Sequence, residues 1–265
     1  RRRPGGVGGG WWRRLWRRMV AECPETYSCV ASTARAMLRQ ARGAQWRRIA
    51  IELPYLPPGS DLSAALQPED YARWPGGLQQ RQRAGLLPMV EAMLEGYAPT
   101  FLGLLDVGMG VWSFADGRCT AVSHVSDLSF AAFDRLCSGD YGARPTRADH
   151  TLLLINPRFS CAANVGQPWD RRLRLRAKGL LDDAGWRMAF SAMPLGDGGG
   201  IRGAGGRFVG TVLTSELWEG AILCAPDRGC VYRGHSWDEF SDGFRGGARA
   251  GKALQLLRAT SRPPS

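Results

Sequence analysis

Asn156 and Arg158 flank Pro157 at the end of the most hydrophobic run of the chain, "TLLLINPRF". An amide and a guanidinium set just beyond a buried strand are the groups that hold a phosphate or a carboxylate where strand ends and loops converge. The same short stretch also reads as plain structure, with Pro157 ending the strand. A few residues on, "NVGQPWDRR" places Asn164 and Asp170 ahead of a helical pattern. Either could extend such a ligand site, or simply cap the helix. Two carboxylates, Glu52 and Asp106, fall at or near other strand ends and read as site residues or as ion-pair partners. The ligand-site reading takes Asn156, Arg158 and Asp106, with Asn164 and Asp170, as contacts to a nucleotide or another phosphate compound.

More conventional chemistry is thin. The three histidines, His124, His150 and His235, lie far from one another and from the seven scattered cysteines. No metal-ligand spacing results, so no metal and no cofactor is expected. There is no G-x-S-x-G nucleophile elbow and no phosphate-binding G-x-x-x-x-G-K-[ST]. Gly198, Gly200 and Gly203 formally spell G-x-G-x-x-G. A strand-like run, "RFVGTVLTSEL", follows it instead of a helix, so residues 196–207 read as a hairpin loop. No catalytic residue is assigned on this basis, and the chain leans away from an enzyme.

Charge directs attention to the other end. The 265-residue chain has a net charge of +11, yet residues 1–18 carry seven arginines and no acid. Beyond them, 28 basic residues face 24 acidic ones, so the body is near balance and nucleic acid is not an expected partner. Within the arm, "WWRRLWRRMV" alternates pairs of apolar and basic residues. On a helix, Trp11, Trp12 and Trp16 would share a face, opposite Arg13, Arg14, Arg17 and Arg18. That face pair suits an anionic membrane surface or RNA. It equally suits the remnant of an organelle transit sequence, or a helix laid on the core. No apolar run reaches the roughly 18 residues that span a bilayer.

The elements that must position these groups follow from periodicity. "TYSCVASTARAMLRQARG" has helical spacing at Val30, Ala34, Met37, Leu38 and Ala41, and "RRIAIELP" alternates as a strand. "GLLPMVEAMLEGY" is a second helix and "TFLGLLDVG" a buried strand. "GVWSFADGRCTAVSHV" folds as a hairpin about Asp116-Gly117, and "SDLSFAAFDRLC" is a third helix capped by Ser126 or Asp127. The "TLLLI" run is the expected central strand, buried on both faces. "WDRRLRLRAKGLLDDAG" is a charged amphipathic helix, after which four strand patterns run to residue 237 and a basic helix closes the chain. The order predicts a single α/β domain with a mixed, largely parallel sheet flanked by helices and an antiparallel C-terminal edge. The expected boundaries are an arm at 1–22, the α/β domain at 23–245, and a basic C-terminal helix and tail at 246–265.

Taken in order, "RRIAIELP", "WPGGLQQRQRAGLLPMVEAMLEGY", "FLGLLDVGMGVW", "VSDLSFAAF", "DHTLLLINPRF…VGQPWDRRL" and "WEGAILCAPDRGCVYR" resemble the DUF1995 family of plastid and cyanobacterial proteins. The resemblance spans roughly residues 25–240. It implies an α/β protein of the chloroplast stroma, with thylakoid association as a further expectation. One group of the family comprises auxiliary factors of photosystem II assembly, of the low-PSII-accumulation type; in another architecture the domain is fused to a plastid adenylate kinase. On this basis the expected function is non-enzymatic assistance to the photosynthetic apparatus. The expected partners are thylakoid or photosystem assembly proteins, with peripheral thylakoid membrane contact through the arm as a further expectation. The family brings no catalytic residues to carry over.

Overall fold

A computed structural model describes residues 26–55, 58–60, 80, 82–105, 108–141, 147–159, 161–167, 169–196, 208–217, 220–225 and 229–234. The arm at 11–20, Asp106, His235 and the segment 246–265 lie outside the described residues, as does all of the glycine-rich stretch except the backbone of Gly196.

Nine strands make one sheet. Helix α1 (Tyr27–Gly43) precedes β1 (Arg48–Glu52). A wide π turn at Gln82–Leu86 leads into α2 (Leu87–Leu94), then β2 (Pro99–Leu104), β3 (Gly110–Phe114) and β4 (Cys119–Ser123). Helix α3 (Phe130–Ser138) connects to β5 (Thr151–Ile155), and α4 (Arg171–Ala177), widened into a π turn at Lys178–Asp182, connects to β6 (Arg187–Gly196). Strands β7 (Phe208–Ser215), β8 (Gly220–Ala225) and β9 (Gly229–Gly234) finish the sheet. The spatial order is β2-β3-β4-β5-β1-β6-β7-β8-β9. Parallel pairing joins β4, β5, β1 and β6 in the middle. Antiparallel pairing builds the C-terminal edge from β6 to β9, and also the opposite edge from β2 to β4. The protein is a single α/β fold with a mixed sheet, parallel at its centre.

Side-chain alternation along the strands divides the interior into two cores. Ile49, Ile51, Ala121, Leu153 and Ile155 face α1 and α2, packing against Val30, Met37, Leu38, Met89 and Met93. Val122, Leu152 and Leu154 face the other way, against Phe130, Phe133 and Leu136 of α3 and Ala177 and Leu181 of the α4 segment. The sheet is thus sandwiched between two helical layers. Every residue of β5 is buried, as its unbroken apolar run requires of a strand covered on both faces.

Two expectations need correction. β2 is an edge strand rather than a buried one: Phe101 is 42% and Leu102 55% exposed. Its apolar composition suits burial, but among the described residues only β3 pairs with it. The N-cap residue of α3 is Ser129, not Ser126 or Asp127. Ser126 and Ser129 instead bond reciprocally, each main-chain N–H donating to the other's hydroxyl at 2.9 and 3.3 Å. The expected turn at Asp116-Gly117 is present, with Gly117 at φ 63° and its N–H donating to the Phe114 carbonyl at 2.9 Å.

Candidate functional site at the carboxyl ends of the parallel strands

Register assembles this site. Ser123 of β4 pairs with Ile155 of β5, and Ile155 with Ile51 of β1, while Glu52 pairs with Ser191 of β6. The first residues beyond these strands, His124, Asn156 and Leu53, therefore emerge close together, with Leu53 one register position further along than Asn156. After β1 the chain passes to α2 on one face; after β5 it passes to α4 on the other. Adjacent parallel strands whose connections leave in opposite directions open a crevice beyond their carboxyl ends, where ligands of open α/β sheets bind.

Both His124 and Asn156 leave their strands through left-handed backbone, at φ 61° and 48°. His and Asn are among the non-glycine residues that tolerate this region best. The turn aims the Asn156 amide across to β1, where it accepts from the Leu53 N–H at 2.6 Å and donates to the Leu53 carbonyl at 2.7 Å. Asn156 is only 1% exposed, so it works as a polar clamp between two strand ends. Pro157 then frees the chain from the ladder, and the Arg158 N–H returns to the Val125 carbonyl at 2.7 Å.

Arg158 reaches a polar group drawn from three strand ends. Its guanidinium lies 5.5 Å from the centre of the Tyr55 ring and donates to the Tyr55 hydroxyl at 3.4 Å. That hydroxyl lies 3.2 Å from His124 Nδ1. Where the phenol donates to Nδ1, the imidazole hydrogen sits on Nε2. Burial, reinforced by the Arg158 charge, pushes His124 down to about 4, leaving it neutral near pH 7. Glu52 accepts from the Ser191 hydroxyl at 3.1 Å. Burial raises its carboxyl above the usual range, against the opposing pull of Arg158 and Ser191. The result is an arginine beside a neutral imidazole, a phenol and a carboxyl raised by burial, and the guanidinium is the group that can receive an incoming anion.

Sequence reasoning and structure meet unevenly here. Arg158 joins the cluster, whereas the Asn156 amide is occupied by the backbone of Leu53. Asp170 caps α4, accepting from the Leu173 N–H at 3.0 Å, and Asn164 ends an exposed 3-10 turn; neither is brought to Arg158 by any bond shown. Tyr55, His124 and Ser191 are not among the site residues the sequence suggests, whereas Glu52 is one of the two strand-end carboxylates read as site residues or as ion-pair partners. One signal could have found most of them: each lies at, or within three residues of, the end of a strand that pairs in parallel or at its register partner. Cysteine chemistry gains no support. Cys119 and Cys137 are buried and pushed up to about 12 by desolvation, far from a reactive thiolate. Among the described residues no group of three or more His, Cys, Asp or Glu side chains could hold a metal ion. Nor is any helix among them long and apolar enough to cross a membrane.

Comparisons with known proteins add no relative: no family model, curated protein or solved structure matches the chain.

Proposed function

We propose that the protein binds a small anionic ligand, a nucleotide or another phosphate compound, beyond the carboxyl ends of β1, β4 and β5. The observation that carries this reading is the convergence of Arg158, Tyr55, His124 and Glu52 between adjacent parallel strands whose connections diverge. Arg158 supplies the charge, Tyr55 fixes its plane, and neutral His124 offers a directional hydrogen bond from Nε2. The test is a thermal-shift screen against nucleotides and phosphorylated metabolites. At a ligand concentration of 100 Kd the stabilisation is about 2.7 kcal/mol, and Arg158→Ala should abolish it. If every shift survives Arg158→Ala, the site is wrong.

A second reading follows the resemblance to DUF1995: a stromal, thylakoid-associated auxiliary protein that assists photosystem II assembly through protein contacts rather than catalysis. It is favoured by edge strand β2, which ends the strand order and exposes Phe101 and Leu102. A strand edge with no partner strand among the described residues, carrying apolar side chains, is a template for an added strand from a partner. Affinity purification from plastids should recover thylakoid or photosystem subunits, and Phe101→Glu with Leu102→Lys should reduce that recovery. Recovery of none from the parent protein would count against this reading.

A further inference from the structure

We infer that the outer face of α4 is a contact surface for an anionic lipid bilayer. Residues 169–178, "WDRRLRLRAK", hold five basic residues against the single acid Asp170, which is engaged as the helix cap. The inward stripe is settled by packing: Ala177 and Leu181 are buried among α3 and the sheet, with Leu173 against them. Helical spacing then turns Arg171, Leu175 and Lys178 outward as one stripe, with Arg172 and Arg176 beside it. All five are exposed, and Leu175 is 61% exposed. Trp169, just before the helix, is 80% exposed, the most open large hydrophobic side chain among the described residues.

The cations divide into two groups. Arg176 is held by Asp134 at 2.6 Å, and Arg174 donates to the Gln167 carbonyl at 2.9 Å. Arg171, Arg172 and Lys178 make no ion pair among the described residues. Beside the stripe runs an open groove of about 700 Å³, bordered by Arg147, Leu175, Arg176 and Leu180. A second, of about 440 Å³, lies between Asp134, Arg172, Leu173 and Arg176. Both are wide enough to admit a phosphate headgroup alongside arginine.

Charge alone would suit RNA or an acidic protein as well. The apolar pair decides for a bilayer. Stacking on single-stranded RNA needs successive aromatic platforms, and Leu175 has no part in stacking. At a bilayer surface both side chains find a place, the indole at headgroup level and the leucine at the acyl boundary, with the cations on lipid phosphates. None of the residues of this surface belongs to the arm at residues 11–20 or to the Arg158 cluster.

The test is co-sedimentation of the full chain with vesicles of phosphatidylcholine and phosphatidylglycerol at about 3 to 1, against phosphatidylcholine alone. The parent should bind the anionic vesicles only, and high salt should weaken the binding. Each cation near such a surface is worth about fivefold in affinity, so Arg171→Gln, Arg172→Gln and Lys178→Gln together should weaken binding about a hundredfold. Trp169→Ala with Leu175→Ala should weaken it about tenfold and remove quenching by brominated lipid that Trp169→Phe also removes. These side chains are exposed, so unchanged melting curves should confirm that the variants fold. A further variant, Arg13→Gln with Arg14→Gln, Arg17→Gln and Arg18→Gln, separates the arm: the α4 variants must still lose binding in that background. The inference is overturned if the parent ignores anionic vesicles or if both α4 variants bind as it does. Binding of single-stranded RNA or an acidic peptide in preference to vesicles, through the same residues, overturns it too.

Discussion

Asn156 offers the sharpest handle on how the crevice is built. Its amide closes two hydrogen bonds to Leu53 in a site that is 1% exposed. Asn156→Ala strands a buried N–H and a buried carbonyl, each costing about 1 to 3 kcal/mol once its partner is gone. Alanine at φ 48° costs about 1 kcal/mol more, because its Cβ crowds the left-handed backbone. The total is about 3 to 7 kcal/mol. At about 2 to 4 °C per kcal/mol, that lowers the melting midpoint by about 6 to 28 °C. Urea denaturation of parent, Asn156→Ala and Asn156→Gly separates the parts. Glycine should recover about 1 kcal/mol of backbone strain and none of the bonds. Asn156→Asp adds a pH signature. One carboxylate oxygen can still accept from the Leu53 N–H, but the other faces the Leu53 carbonyl and must be protonated to donate to it. The folded state therefore raises this carboxyl above its unfolded value. Its stabilisation is complete below about pH 4 and is lost as pH rises through the raised value. A loss under about 1 kcal/mol for Asn156→Ala, or an Asn156→Asp variant that strengthens with rising pH, refutes the clamp.

His124 should make the parent acid-sensitive. Its folded value of about 4 lies below the unfolded value of about 6.5. The stability it contributes is complete above about pH 6.5 and is lost as pH falls through that window, amounting to about 2 to 3 kcal/mol by pH 4.5. Glu52, shifted upward, acts in the opposite sense over the acidic range. His124→Asn, which keeps a residue tolerant of left-handed backbone, should cancel the histidine's share. Equal pH slopes for parent and variant in urea unfolding would contradict this account. Burial should also separate two leucines in strands. Leu154→Ala, at 1% exposure between α3 and the sheet, should cost about 2 to 5 kcal/mol, while Leu102→Ala on the β2 edge should stay within about 0.5.

Strand identity was legible in this sequence; strand neighbours were not. The alternation of Ile49 and Ile51, the unbroken run to Ile155 and the Asp116-Gly117 turn each reflect forces acting over a few residues, and all three elements form where those patterns lie. "TFLGLLDVG" carries as apolar a pattern, yet it became the sheet's edge, because what covers a strand is decided by pairing with segments elsewhere in the chain. The same limit explains the site. Arg158 was visible as a cation past a strand end, but Tyr55 and His124 lie 103 and 34 positions upstream of it in the numbering. They meet it only because β5 inserts between β4 and β1. That insertion also redirects Asn156. At the end of an isolated strand, its amide would be free for a ligand. With β1 alongside, the Leu53 N–H and carbonyl offer a donor and an acceptor spaced to match both amide atoms, and in a buried place two such bonds outweigh solvent exposure. The role expected of Asn156 in binding therefore passes to the groups that remain, Arg158 and the neutral imidazole beyond it. Asn156 is what holds β1 and β5 at the separation those groups require.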